Sequence, residues 1–285
     1  MVGGRGRTRG HRRPWAQTKG VVDVDANRTS MAREGAFEVR GGAAGDPEDR
    51  ATRAVHLAGD SMAAPKLLDA APETGWGMGL GYYLRRHGVV NHARNGRSSA
   101  SFLALGGLER VVRSLRAGDL LLVQFGHNDA KVADPERFTD PWTTYQAALL
   151  TLVDAARRSG AQPVLVTPIE RRAFDADGRA VAGHGEYPDA MRELARREDV
   201  PLVDAQAQSL ALWQSLGPDE TRRYFLHSGG RRDDTHLSPT GAGAVARLVA
   251  TGLVSAGVLD QDDVVHLDAP VPPGWFRWAE GALPD

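Results

Sequence analysis

Val55-His56-Leu57-Ala58-Gly59-Asp60-Ser61 reads as a buried strand that ends on a turn. Val55, Leu57 and Ala58 are its apolar residues, Gly59 ends the run, and Asp60-Ser61 lie on the turn. Ala63, Ala64, Leu67 and Leu68 then suggest a short helix. A serine on a tight strand-to-helix turn is presented at the end of a sheet, where a nucleophile can sit. The Gly-x-Ser-x-Gly elbow of α/β hydrolases is absent here. A Gly-Asp-Ser turn heading an ordinary helix has the same three residues, so the rest of the chain must decide.

Outward from this strand, strands and helices alternate. Residues 89–93 read as a second strand. Residues 120–125 are a nearly continuous apolar run, the pattern of a central strand buried on both faces. Residues 163–167, ended by Pro168, and 201–204 read as two more. Helical spacing covers 75–87, 102–115 (interrupted by Gly106 and Gly107), 145–158 (stopped by Gly160), 190–197 and 205–216. Ser238 as N-cap and Pro239 in the first turn open a last helix that runs to 252 or 255. Alternation of this kind implies parallel pairing and right-handed crossovers. The expected fold is α/β, a three-layer α/β/α sandwich with about five parallel strands. Ligands in such sheets bind outside the carboxyl ends of the strands, so chemical residues should follow strands.

The composition is ordinary for a globular chain: 285 residues, 41% hydrophobic and 25% charged. A formal net charge of -1 gives no support for nucleic acid as a partner. The absence of cysteine excludes disulfides, a cysteine nucleophile and thiolate metal sites. No run of ~18 apolar residues occurs, so no transmembrane helix is expected. Residues 1–50 differ from the rest. Arg5, Arg7, Arg9, Arg12, Arg13 and Lys19 have no acidic residue among them, and apolar residues are sparse. This predicts a disordered basic and polar extension, with a nucleic-acid arm as the lesser reading. No apolar core of ~7–15 residues follows the basic region, which points to a cytoplasmic rather than a secreted protein. The expected domain spans 51–260. Residues 261–285, with Pro270, Pro272, Pro273, Trp275, Phe276 and Trp278, form an arm packed on the domain or on a partner. The sequence does not speak to the oligomeric state.

Four polar clusters stand at strand ends or before a helix: Gly59-Asp60-Ser61, Asn95-Gly96-Arg97-Ser98-Ser99, Gly126-His127-Asn128-Asp129 and Asp233-Asp234-Thr235-His236. Acyl transfer needs these types. Serine is a weak nucleophile until a base takes its proton, and histidine suits that near neutral pH. The imidazole must be held in one tautomer, usually by a carboxylate. Asp233, three residues before His236, allows both side chains to point to one side of a tight loop. The backbone N–H groups of Ser61 and Gly96 and the Asn128 amide are suitable donors for the developing oxyanion.

Together these clusters resemble the four sequence blocks of the SGNH (GDSL-type) hydrolase superfamily, in the same order. More narrowly, Gly96-Arg97-Ser98-Ser99-Ala100-Ser101-Phe102, residues 124–131 and residues 233–242 resemble the rhamnogalacturonan acetylesterases of carbohydrate esterase family 12. The resemblance implies a flavodoxin-like sandwich and ester hydrolysis through an acyl-enzyme, without metal or other cofactor. It implies Ser61 as nucleophile, His236 as base and Asp233 as its orienting acid. Ser61, Gly96 and Asn128 form the implied oxyanion hole. The implied substrate is a small carbohydrate ester, acetylated rhamnogalacturonan (pectin) oligosaccharides foremost. A lipase or thioesterase acting on longer acyl esters and a catalytically degenerate carbohydrate-binding protein are the alternatives.

Other residues carry double readings. His127 contacts substrate or supports its loop. Arg97, Trp76 and Arg171 are candidate sugar contacts; helix packing for Trp76 and an exposed basic pair for Arg171-Arg172 are the plainer readings. Trp142 and Tyr145 stand likewise between groove and packing. His56 reads as a satisfied structural histidine, and His184, His227 and His266 as solvent-facing. Asp233, Asp234 and His236 lack a second histidine at ligand spacing, so no metal site is expected. Gly77-x-Gly79-x-Gly81 lacks the strand that a dinucleotide fingerprint needs.

Overall fold

A computed structural model describes residues 37–39, 53–227 and 229–281. Five parallel strands form the sheet: β2 (Arg53–Gly59), β3 (His87–Asn91), β4 (Leu120–Gln124), β5 (Gln162–Val166) and β6 (Leu202–Val203). A sixth, β1 (Phe37–Val39), lies antiparallel on the outer edge of β3. Apart from these three residues, the extension expected over 1–50 lies outside the described residues. The order β1-β3-β2-β4-β5-β6 reverses around β2, the doubly wound flavodoxin-like arrangement. A crevice therefore opens between the carboxyl ends of β2 and β4.

Alternation along the strands builds two cores. Val55, Leu57, Leu120, Leu122, Val164 and Val166 face α1 (Gly77–Leu80), α6 (Ala205–Glu220, broken at Gly217) and α7 (Pro239–Ser255). Ala58, Leu121, Val123, Phe125 and Leu165 face α2 (Ser99–Ala104), α3 (Gly107–Ser114), α4 (Gln146–Arg158) and α5 (Tyr187–Arg197). Because both faces are covered, β4 is buried along its whole length. Ser238 caps α7 by accepting from the Gly241 N–H at 3.2 Å, with Pro239 in the first turn. Gly106, at φ +76°, turns the backbone out of the helical region and divides the helical stretch over 102–115 into α2 and α3.

Several expectations change. The expected helix at 63–68 does not form: residues 61–64 make a turn, and a 3₁₀ turn follows at Leu68–Ala70. The stretch 75–87 holds one helical turn, α1, then a 3₁₀ turn, and His87 already belongs to β3. Asp233 and His236 do not follow a strand of the main sheet. They lie on β8 (Asp233–Leu237), which pairs antiparallel with β7 (Phe225–Leu226) in a separate hairpin. The C-terminal arm packs on the domain itself. Phe276 is buried, and the Trp275 indole donates to the Met78 carbonyl at 3.2 Å.

His56 is the structural histidine expected. Its Nδ1 lies 3.0 Å from His92 Nε2, and its Nε2 lies 3.2 Å from Asp119 Oδ2. Burial lowers the pKa of His56 and, aided by neighbouring cationic side chains, takes His92 to about 3. Burial also holds His184 well below its ordinary value. In the folded chain these rings take up protons at lower pH than their unfolded counterparts, which do so below about pH 6.5. Unfolding then binds protons, so stability rises with pH across this window and falls on acidification. His92 alone should cost about 2 kcal/mol of stability at about pH 5 relative to neutral pH. Urea unfolding at the two pH values measures this, and equal stability at both would contradict it.

Candidate active site

Asp60 builds the turn that presents Ser61. Its carbonyl accepts the N–H groups of Ala63 (3.2 Å) and Ala64 (3.1 Å), and its Oδ1 accepts that of Met62 (2.9 Å). The carboxylate is wholly buried, and its Oδ2 accepts from Gln124 Nε2 at 3.2 Å and lies 3.2 Å from His127 Nδ1. Burial pushes the Asp60 pKa up, but His127, the Met62 N–H and Gln124 outweigh it and keep the carboxyl below its ordinary value. The turn packs against Gly75, where a Cβ would meet the Ala64 carbonyl at 2.1 Å.

The β7–β8 hairpin brings His236 to this serine. His236 Nε2 lies 3.3 Å from Ser61 Oγ, and its Nδ1 lies 2.9 Å from Asp233 Oδ2. Asp233 Oδ1 accepts the N–H groups of Thr235 and His236, both at 2.9 Å. Burial alone would raise the Asp233 pKa. The hydrogen bonds from the His236 backbone and imidazole and from Thr235 prevail and bring it to about 2. The carboxyl is therefore anionic at neutral pH, holds the Nδ1 proton, and leaves the Nε2 lone pair toward Ser61.

The other two clusters meet at the same corner. Gly96 has φ +73°, a conformation that favours glycine. Asn128 donates from its amide to the Arg97 carbonyl at 2.9 Å, which fixes the amide beside the Gly96 turn. Asp129 secures both loops from behind: it accepts the N–H groups of Ser99 (2.9 Å) and Gly126 (3.0 Å) and the Thr139 hydroxyl (3.0 Å). Burial raises its pKa to about 6 against these donors. Asp60 and Asp129 were missed as functional supports. Each flanks a recognised residue, but nothing in the sequence says where its carboxylate points.

The remaining candidates divide. His127 is 3% exposed, sits beside Asp60 and stacks edge-on against His184 with ring centroids 4.4 Å apart, so it supports its loop. Arg97 is half-buried, and its carbonyl holds Asn128. Arg171 is half-buried rather than an exposed basic residue, and it donates to the His127 carbonyl at 3.3 Å. Trp76 does not face substrate: it is buried, with its indole donating to Gln124 Oε1 at 3.1 Å. Tyr145 is buried too, its hydroxyl donating to the Phe125 carbonyl at 2.9 Å, whereas Trp142 is exposed. His184 is buried and bonded to the Ile169 carbonyl at 2.8 Å, which corrects its solvent-facing assignment. His227 instead pairs with Asp234 at 2.8 Å, and His266 is exposed. Asp234 also takes Arg172 at 2.9 Å, so it is turned to different partners from Asp233. A cleft of about 480 Å³, lined by Arg172, Arg222, His227, Arg231, Arg232 and Asp234, opens beside β8.

A serine, an imidazole and a carboxylate in hydrogen-bonded series, beside a Gly–Asn corner, are the parts of an acyl-transfer site. The profile of the GDSL-like lipase/acylhydrolase family matches residues 57–244, from within β2 into α7. The chain belongs to that family. It is 41% identical over 221 residues to a rhamnogalacturonan acetylesterase of Bacillus subtilis (strain 168), covering 74% of this chain and 94% of the relative. A probable rhamnogalacturonan acetylesterase of the same organism is 38% identical, with 72% and 94% covered. Among solved structures, the YxiM protein of Bacillus subtilis superposes with TM-score 0.65 at 25% identity, over 72% of this chain and 57% of that one. An acetylxylan esterase of Geobacillus stearothermophilus shares the fold at TM-score 0.53 and 16% identity, over 74% and 96%. Family members are carboxylic ester hydrolases, and Ser61, Gly96, Asn128, Asp233 and His236 all fall within the matched residues.

Proposed function

We propose that the protein is a serine esterase that removes O-acetyl groups from a carbohydrate, acetylated rhamnogalacturonan oligosaccharides being its substrate. The observation that carries the chemistry is the series Ser61 Oγ, His236 Nε2 and Nδ1, Asp233 Oδ2, with separations of 3.3 and 2.9 Å. The choice of sugar is supported by 41% identity across 94% of a rhamnogalacturonan acetylesterase.

In this reading Ser61 Oγ attacks the acetyl carbonyl carbon while its proton passes to His236 Nε2. Charge gathers on the carbonyl oxygen, which accepts hydrogen bonds donated by the backbone N–H groups of Ser61 and Gly96 and by the Asn128 amide. The intermediate collapses, the bond to the sugar oxygen breaks, and His236 returns the proton to that oxygen. Acetyl-Ser61 remains. Water, deprotonated by His236, adds to it, and loss of Ser61 Oγ with reprotonation releases acetate. Asp233 stabilises the imidazolium at both stages.

Acetate release from acetylated pectin, xylan and chitin oligosaccharides tests the proposal, with a chain-length series of nitrophenyl esters beside it. Release from the pectic oligosaccharides and preference for acetyl are expected. Release from xylan alone would overturn the rhamnogalacturonan assignment, and preference for long acyl chains would overturn the acetylesterase reading.

A further inference from the structure

Lys66 takes no part in the relay, yet it is buried, 1% exposed, directly behind the nucleophile. An ammonium is costly to bury unless it is paired and each of its three donors is satisfied. Here the three partners are present. Nζ lies 2.7 Å from the Ser61 carbonyl oxygen, 2.7 Å from Asn95 Oδ1 and 2.8 Å from Glu73 Oε1. The first partner belongs to the nucleophile, and the second immediately precedes Gly96. One buried cation therefore bridges the turn that carries Ser61 and the turn that carries an oxyanion donor. It contacts the Ser61 carbonyl rather than Oγ, so it does not compete with His236 as base.

Glu73 extends the connection. Its Oε2 lies 3.4 Å from Arg231 Nη2, which is 3.1 Å from Asp233 Oδ2. The polar contacts thus return to the carboxylate that orients His236. The C-terminal arm, outside the family match, fastens this segment from the other side. Ala279 N donates to the Lys66 carbonyl (2.9 Å), Leu68 N donates to the Ala279 carbonyl (2.9 Å), and the Trp278 indole donates to the Glu73 carbonyl (2.8 Å).

We infer that Lys66, held by Glu73 and clamped by the C-terminal arm, is a positioning residue that fixes the nucleophile turn relative to the oxyanion turn. The inference rests on Ser61 being the nucleophile. Misplacing catalytic groups by about 1 Å can cost about 10²-fold in rate, and Lys66→Met should remove that constraint. The expected result with p-nitrophenyl acetate is a fall in kcat of about 10²-fold, with KM changed by less than about threefold. A role in stability alone is separated by the double variant Lys66→Met/Glu73→Gln, which leaves neither member of the pair charged. Its thermal midpoint should recover relative to Lys66→Met while kcat stays low. Recovery of kcat together with the midpoint, or an unchanged kcat in either variant, would overturn the inference. If Lys66→Met does not fold, the double variant alone decides by the same kcat criterion. Wild-type enzyme inert toward p-nitrophenyl acetate would instead overturn the esterase reading beneath it.

Discussion

Ser61→Ala is expected to lower kcat for ester hydrolysis by on the order of 10⁴–10⁶-fold while leaving the fold intact. Among the described residues, Ser61 Oγ hydrogen-bonds His236 alone. The turn around it is held by the Asp60 carbonyl and carboxylate and by Lys66, and none of these contacts uses the hydroxyl. Removing one oxygen from a side chain that supports nothing else should leave the thermal midpoint nearly unchanged. The chemistry, however, loses the atom that forms the acyl bond. Residual hydrolysis would come from water activated by His236 in an intact oxyanion corner. Initial rates with p-nitrophenyl acetate and thermal unfolding of the same preparation measure both halves. A variant retaining more than about a tenth of the wild-type rate would contradict the assignment.

Asp233→Asn should cost about 10⁴-fold in kcat for a different reason. Asparagine preserves the shape, and its oxygen can still accept the Thr235 and His236 N–H groups. Its amide nitrogen, placed where Oδ2 now lies 2.9 Å from His236 Nδ1, offers a donor instead of an acceptor. The imidazole then keeps its proton on Nε2, facing Ser61, and cannot take another without forming an imidazolium that lacks its carboxylate. The variant also loses the negative charge that Arg231 approaches. Because the folded carboxyl titrates at about 2, below its ordinary 3.8, it favours the folded state above that range. That contribution fades as pH falls from about 4 toward 2, so a stability difference between Asp233→Asn and wild type should narrow on acidification. A kcat within tenfold of wild type at neutral pH would show that Asp233 does not set the tautomer.

Much of this was legible from local sequence because local physics determined it. The apolar run 120–125 had to be buried on both faces, and β4 is the centre of the sheet. Ser238-Pro239 could open a helix in one way, and it does. The four polar clusters announced the site because each joins a chemically specific residue to a strand end or a helix start. Three features were hidden because they depend on distant partners. Residues 63–68 carry helical spacing, but Asp60 captures their first N–H groups in a turn and Gly75 lets that turn pack down. Asp233-Asp234-Thr235-His236-Leu237 is too polar to read as a strand, and it becomes one by pairing with Phe225–Leu226 across a hairpin. Lys66 carries no signal in its local sequence, and its place is set only when Ser61, Asn95 and Glu73 close around it. Trp76, a candidate sugar platform by type, was claimed by the core through a bond to Gln124.

The relay from Ser61 to Asp233 is tested most directly by trapping its covalent intermediate. Wild-type protein mixed with p-nitrophenyl acetate, quenched in acid within the first turnovers and digested for mass spectrometry should carry an acetyl group on the peptide containing Ser61. The Ser61→Ala protein treated identically should carry none there. An acetyl group on another residue that turns over at the catalytic rate, with the Ser61 peptide unmodified, would contradict the account.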